Sequence, residues 1–203
     1  MATREELEAY ASIDSQHGWI AIRLELPVMR GAYDVIVDVP EGSKRLADKS
    51  VTTINDILAL GEDARKTILQ LLFDDAARAR QDVAFGDSER MGGLSHAVSN
   101  GFWSRLLKSN QRPKFNFVAI DPTDPRHPCF FTDGLASVEA KIRWVSAHIY
   151  EEDDTPHRYA RLFCYPAWET EHGTCVAIRD GVPVGLVDFQ DVFDPLGKDA
   201  SGL

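Results

Sequence analysis

Tyr159-Ala160-Arg161-Leu162-Phe163-Cys164-Tyr165, then Thr174-Cys175-Val176-Ala177-Ile178, then Arg179-Asp180-Gly181 leading into Val182-Pro183-Val184-Gly185-Leu186-Val187, is the stretch that decides the fold class. Three apolar β runs follow one another, and Asp-Gly between the last two is a strong hairpin signal. Pro183 lacks an N–H to donate to a ladder, so the last strand belongs at a sheet edge or begins at that residue.

Working outward, the N-terminal part repeats the pattern. Ile20, Ile22, Leu24 and Leu26 alternate with Arg23 and Glu25 among the residues opposite them, which is the period of a half-buried strand. After Gly31, Tyr33, Val35, Val37 and Val39 alternate with Asp34 and Asp38. Two such runs joined by a short link containing glycine predict an antiparallel hairpin.

Between these β regions the period changes. Ile54, Ile57, Leu58, Ala64, Ile68, Leu69, Leu71, Leu72, Ala76 and Ala79 recur at helical spacing on either side of Gly61. Thr53, with Asp56 three residues on, resembles a capping box. The spacing predicts a short helix, a break at Gly61 and a longer helix over 62–81, with Glu62 and Asp63 against the positive end of its dipole. The apolar stripe is read as core.

The centre is less regular. Gly86, Gly92, Gly93 and Gly101 mark an irregular connection, and Met91-Gly92-Gly93 lacks the strand and spacing of a phosphate cradle. Phe102–Leu107 reads as a brief helix and Phe115–Ile120 as a strand, stopped by Asp121-Pro122-Thr123-Asp124-Pro125. Residues 135–150 support two readings: a helix capped by Ser137 through Trp144 with a strand from Ser146 to Tyr150, or an alternating run from Val138. The expected architecture is α+β, a mainly antiparallel sheet with one long helix packed on it, as a single domain over 1–203, divisible at most into 1–84, 85–112 and 113–203.

Composition bounds the function. The 203 residues carry 22 Lys+Arg against 32 Asp+Glu, a formal charge of −10, and 44% are hydrophobic. With 4 Trp, 5 Tyr and 10 Phe the chain can bury a real core. Nucleic-acid binding without sequence preference depends on clustered basic residues, and no basic run is present. An acidic chain suits a basic protein partner, because complementary fields speed encounter. Cys129, Cys164 and Cys175 are odd in number and lack CxxC spacing, so buried free thiols are expected. Neither a signal peptide nor an apolar span of about 20 residues is visible, which places the chain in the cytoplasm.

One constellation carries chemistry: Ala167-Trp168-Glu169-Thr170-Glu171-His172-Gly173, between two of the C-terminal strands. Two carboxylates and an imidazole are hard-oxygen and nitrogen ligands, and they also suit proton transfer near neutrality. In an extended segment, however, Glu169 and Glu171 point to one side and His172 to the other. A metal site would need a further ligand from elsewhere, and no HExxH spacing exists. The structural alternative has Trp168 anchoring the sheet end, Gly173 supplying a permissive backbone angle, and the polar side chains bonding the connection. No catalytic residue, metal ligand or cofactor is assigned.

Elsewhere, His17, His96, His127, His148 and His157 are dispersed and read as surface or satisfied residues. Ser95-His96 lacks a nucleophile elbow, and Asp121, Asp124 and Asp133 are turn formers. Glu151, Glu152, Asp153 and Asp154 form an acidic loop suited to a basic partner.

The stretch from Leu162 to Gly181 resembles a group of small bacterial α+β proteins with a strand, a Trp-Glu-x-Glu-His-Gly turn, a second strand and an Asp-Gly hairpin. The order of two N-terminal strands followed by the helix from Ile54 to Ala79 is similar to that group as well. Many of its members are identified with the immunity-type proteins encoded beside bacterial toxins. The resemblance implies a non-enzymatic protein that neutralises a toxin, for which Trp168, Glu169, Glu171, His172, Gly173, Asp180 and Gly181 are signature or partner-binding positions, and it brings no catalytic role. The expected partner is a protein, such as a basic toxin domain, and neither a nucleic acid nor a membrane. The rival readings are a small metal-dependent or acid–base enzyme using Glu169, Glu171 and His172, and a scaffold homo-oligomer joined at an open sheet edge.

Overall fold

In the computed structural model the described residues are 1–14, 18–40, 43–85, 133–150, 156–169 and 172–188. Their strands form one seven-stranded sheet in the order β1-β2-β3-β4-β5-β6-β7, with the numbers following the chain. The strands are β1 (Ala11–Asp14), β2 (Trp19–Leu26), β3 (Gly31–Asp38), β4 (Ile142–Tyr150), β5 (Tyr159–Pro166), β6 (Thr174–Arg179) and β7 (Val182–Asp188).

The hairpin expected from the alternation at 20–39 is β2–β3, paired antiparallel with Ile22 opposite Val35. The C-terminal runs are β5, β6 and β7, also antiparallel, and Pro183 lies in β7, the edge strand. The exception to antiparallel pairing is central: β3 and β4 run parallel, with Val35 opposite Ala147. Parallel neighbours need a crossover between them, and the helices that follow β3 belong to that connection.

The expectation of one long helix packed on the sheet is overturned. Several helices are present: α1 (Arg4–Glu8), α2 (Asp48–Leu58), α3 (Glu62–Phe85) and α4 (Leu135–Glu139). Leu60-Gly61 separates α2 from α3, as the glycine suggested. But α2 begins at Asp48 after an Ala47 cap, not at Thr53. The Thr53 hydroxyl instead donates to the Lys49 carbonyl within the helix (2.8 Å), the back-bonding available to a threonine inside a helix.

Of the two readings of residues 135–150, the helix followed by a strand has the observed order, with other bounds. Gly134, at φ 101°, stands at the N-cap of a one-turn helix, and the strand runs from Ile142 to Tyr150 with a register shift between Trp144 and Ser146. The alternation from Val138 to Trp144 therefore spans a helix end and a strand start.

The core lies between one sheet face and the helices. Ile20, Ile22, Val35, Val37, Ala147, Ile149, Leu162, Val176 and Ile178 pack with Ile54, Ile57, Ile68, Leu69 and Leu72 of α2 and α3. At the rim Arg65 is buried. It donates to the Val28 carbonyl and pairs with Glu139 of α4 at 2.5 Å, and Arg30 meets the same carboxylate at 2.8 Å. That shared carboxylate ties α4 to α3 and to the turn after β2.

Candidate functional site

The signature residues sit at two turns of the C-terminal sheet. At the β5–β6 connection, Trp168 is buried and its Nε1 donates to Asp75 Oδ2 of α3 at 2.9 Å. Glu169 Oε1 accepts the His172 main-chain N–H at 3.1 Å, and the Glu169 N–H donates to the Pro166 carbonyl. Glu169 and His172 therefore meet through the backbone of a turn. Gly173 has φ +69°, and a Cβ there would lie 2.6 Å from the Phe163 ring and 2.8 Å from the Cys164 carbonyl oxygen. Only glycine satisfies both demands without strain. Glu171 lies outside the described residues.

At the β6–β7 turn, Asp180 and Gly181 have φ of 49° and 79°, the pair of positive values that a tight two-residue hairpin requires. Asp180 is held in that conformation from several sides. Its carboxylate accepts the Arg158 N–H at 3.0 Å and meets His157 Nδ1 at 2.6 Å, while its own N–H donates to the Arg158 carbonyl at 2.9 Å. The Arg158 main-chain bond, followed by the His157 contact, holds the Asp180 carboxyl below its ordinary range. The Arg158 side chain also donates to Asp56 of α2, at 3.0 Å from Nε and 2.9 Å from Nη2. The hairpin is thus fastened to a helix through one arginine.

The two signature turns are not brought into a single cluster by any contact described. Among the described residues no group of three or more His, Cys, Asp or Glu side chains is placed to hold a metal ion. The expected acidic interface, Glu151, Glu152, Asp153 and Asp154, lies outside the described residues, as do the expected helix at 102–107, the strand at 115–120 and Cys129. Cys164 and Cys175 are buried and neither is in a disulfide, and burial pushes the Cys164 thiol well up.

The sequence reading missed a polar cluster on the sheet face away from the core. Ser146, His148 and Tyr150 of β4 alternate with Ala147 and Ile149, so they share that face. Ser146 Oγ lies 2.9 Å from His148 Nε2. Arg161 stands directly opposite His148 in the β4–β5 ladder, is buried, and sets its guanidinium 5.1 Å from the Tyr150 ring centre. Burial, with Arg161 adding to it, pushes His148 down to about 4, and burial pushes the Tyr150 hydroxyl up to about 12. Asp38, opposite Tyr150 on β3, is raised by burial too. Beside them Phe163, Cys175 and Ala177 are buried without joining the main core. The available signal was the polar alternation of Ser146, His148 and Tyr150, which a search for dispersed histidines does not register.

Fold and site together define, among the described residues, a mostly antiparallel sheet whose signature residues build its turns and whose second face carries a partly buried polar cluster. Within this scaffold, residues 131–194 match a domain of unknown function, DUF6985, and the match spans α4 and β4 to β7. No curated protein and no solved structure matches the chain. Among the described residues no helix is long and apolar enough to cross a membrane.

Proposed function

We propose that the protein is a non-enzymatic binding protein of the immunity or antitoxin type, acting in the cytoplasm and neutralising a basic protein partner through an acidic surface. The observation that carries this reading is the use made of the signature. Trp168 and Glu169 are engaged at one turn, and Asp180 at the other, in bonds that fix the backbone. A motif employed this way builds a rigid surface and does not gather reactive groups around a substrate. Rigid, preformed surfaces bind with less entropy lost on ordering.

Charge supports the same reading. A formal charge of −10 gives the protein a field that attracts cationic partners and raises association rates at low salt. The resemblance to immunity-type proteins supplies the class of partner.

The test uses the tagged protein as bait in lysate of its own host at low and high salt, followed by coexpression of any captured protein with and without the bait. The expected result is a basic partner, held more tightly at low salt, whose toxicity the bait relieves. Replacing Glu152 and Asp153 by Lys should weaken capture. A captured protein whose toxicity is unchanged by coexpression, or the absence of any salt-sensitive partner at micromolar bait, would overturn the proposal.

A further inference from the structure

We draw no further inference here: the strongest candidate, the polar cluster of Ser146, His148, Tyr150 and Arg161 on the sheet face away from the core, carries none, because its Ser146 and Arg161 are buried and nothing in the structure shows what covers them.

Discussion

Trp168 of the β5–β6 connection donates its indole N–H to Asp75 Oδ2 of α3 at 2.9 Å, joining residues 93 positions apart. The indole is buried at the same time in the core cluster, so one side chain provides both an apolar contact and a directional bond. Trp168→Phe keeps most of the ring and loses the bond, and should lower stability by about 1 kcal/mol. Trp168→Ala should cost about 3–5 kcal/mol, since a large buried ring is removed. Urea unfolding measures both. Asp75→Ala should cost little more once Trp168→Phe is present, and fully additive losses would show that the two residues do not interact.

Gly173→Ala tests the second half of the same turn. The substitution places a Cβ 2.6 Å from the Phe163 ring at a backbone φ of +69°, so steric and conformational penalties act together. A loss of about 2–4 kcal/mol is expected, above the usual range for surface changes. The measurement is the denaturant midpoint with the slope held in common. A change under about 0.5 kcal/mol would mean that the turn relaxes freely and that the signature glycine is not required by packing.

Asp180→Ala removes the acceptor for the Arg158 N–H and His157 and leaves an alanine at φ 49°. Asp180→Asn keeps a residue that tolerates this backbone region and retains part of the bonding. The expected order of melting temperature is parent, then Asn, then Ala. Because the folded carboxyl titrates below its ordinary value, its contribution is present above the unfolded pKa and is lost as pH falls through the folded one. The difference between parent and Asp180→Ala should therefore narrow in acid. Equal differences at pH 7 and in strong acid would remove the carboxylate from the explanation.

The strands were legible because their patterns are local. Ile20 to Leu26 shows by alternation which side is buried, whereas Tyr159 to Tyr165 reads as a strand from its apolar run and is buried on both faces. The Asp-Gly turn was legible for the same reason, since its geometry is set by two residues. By contrast, the parallel β3–β4 pair joins strands more than 100 residues apart in sequence, and nothing local specifies such a neighbour. The first helix was missed although its signal was present: Thr3 caps α1 and Glu6 returns the bond, a complete capping box ahead of buried Leu7. β1 has four residues, too few for periodicity to register. At the signature, residue types suggested metal or proton chemistry, while the structural alternative, with Trp168 as anchor and Gly173 as a special backbone position, corresponds to the bonds observed. The alternation of Ser146, His148 and Tyr150 was present in the sequence, but that Arg161 joins them depends on a cross-strand neighbour that nothing local specifies.

That cluster makes the pH dependence specific. His148 faces Ser146 and Tyr150 from its own strand, Arg161 from β5 and Ile36 from β3, and its pKa is lowered from 6.5 to about 4, first by burial and then by Arg161. In the unfolded chain the imidazole takes up a proton near its ordinary value, whereas in the folded protein it resists until much lower pH. The unfolded state thus binds more protons between these limits, and the neutral histidine's contribution, complete above about pH 6.5, is lost as pH falls toward 4. The shift corresponds to at most about 3 kcal/mol. Asp38, raised by burial, acts in the opposite direction, so the parent curve alone does not isolate His148. The comparison with His148→Gln does: the variant keeps a polar side chain on the strand and has nothing to titrate in this window. Urea unfolding at pH 7, 6, 5 and 4.5 should show the parent losing more stability than His148→Gln on acidification. Parallel curves would mean that His148 is solvated in the folded protein and that the polar cluster is open to water.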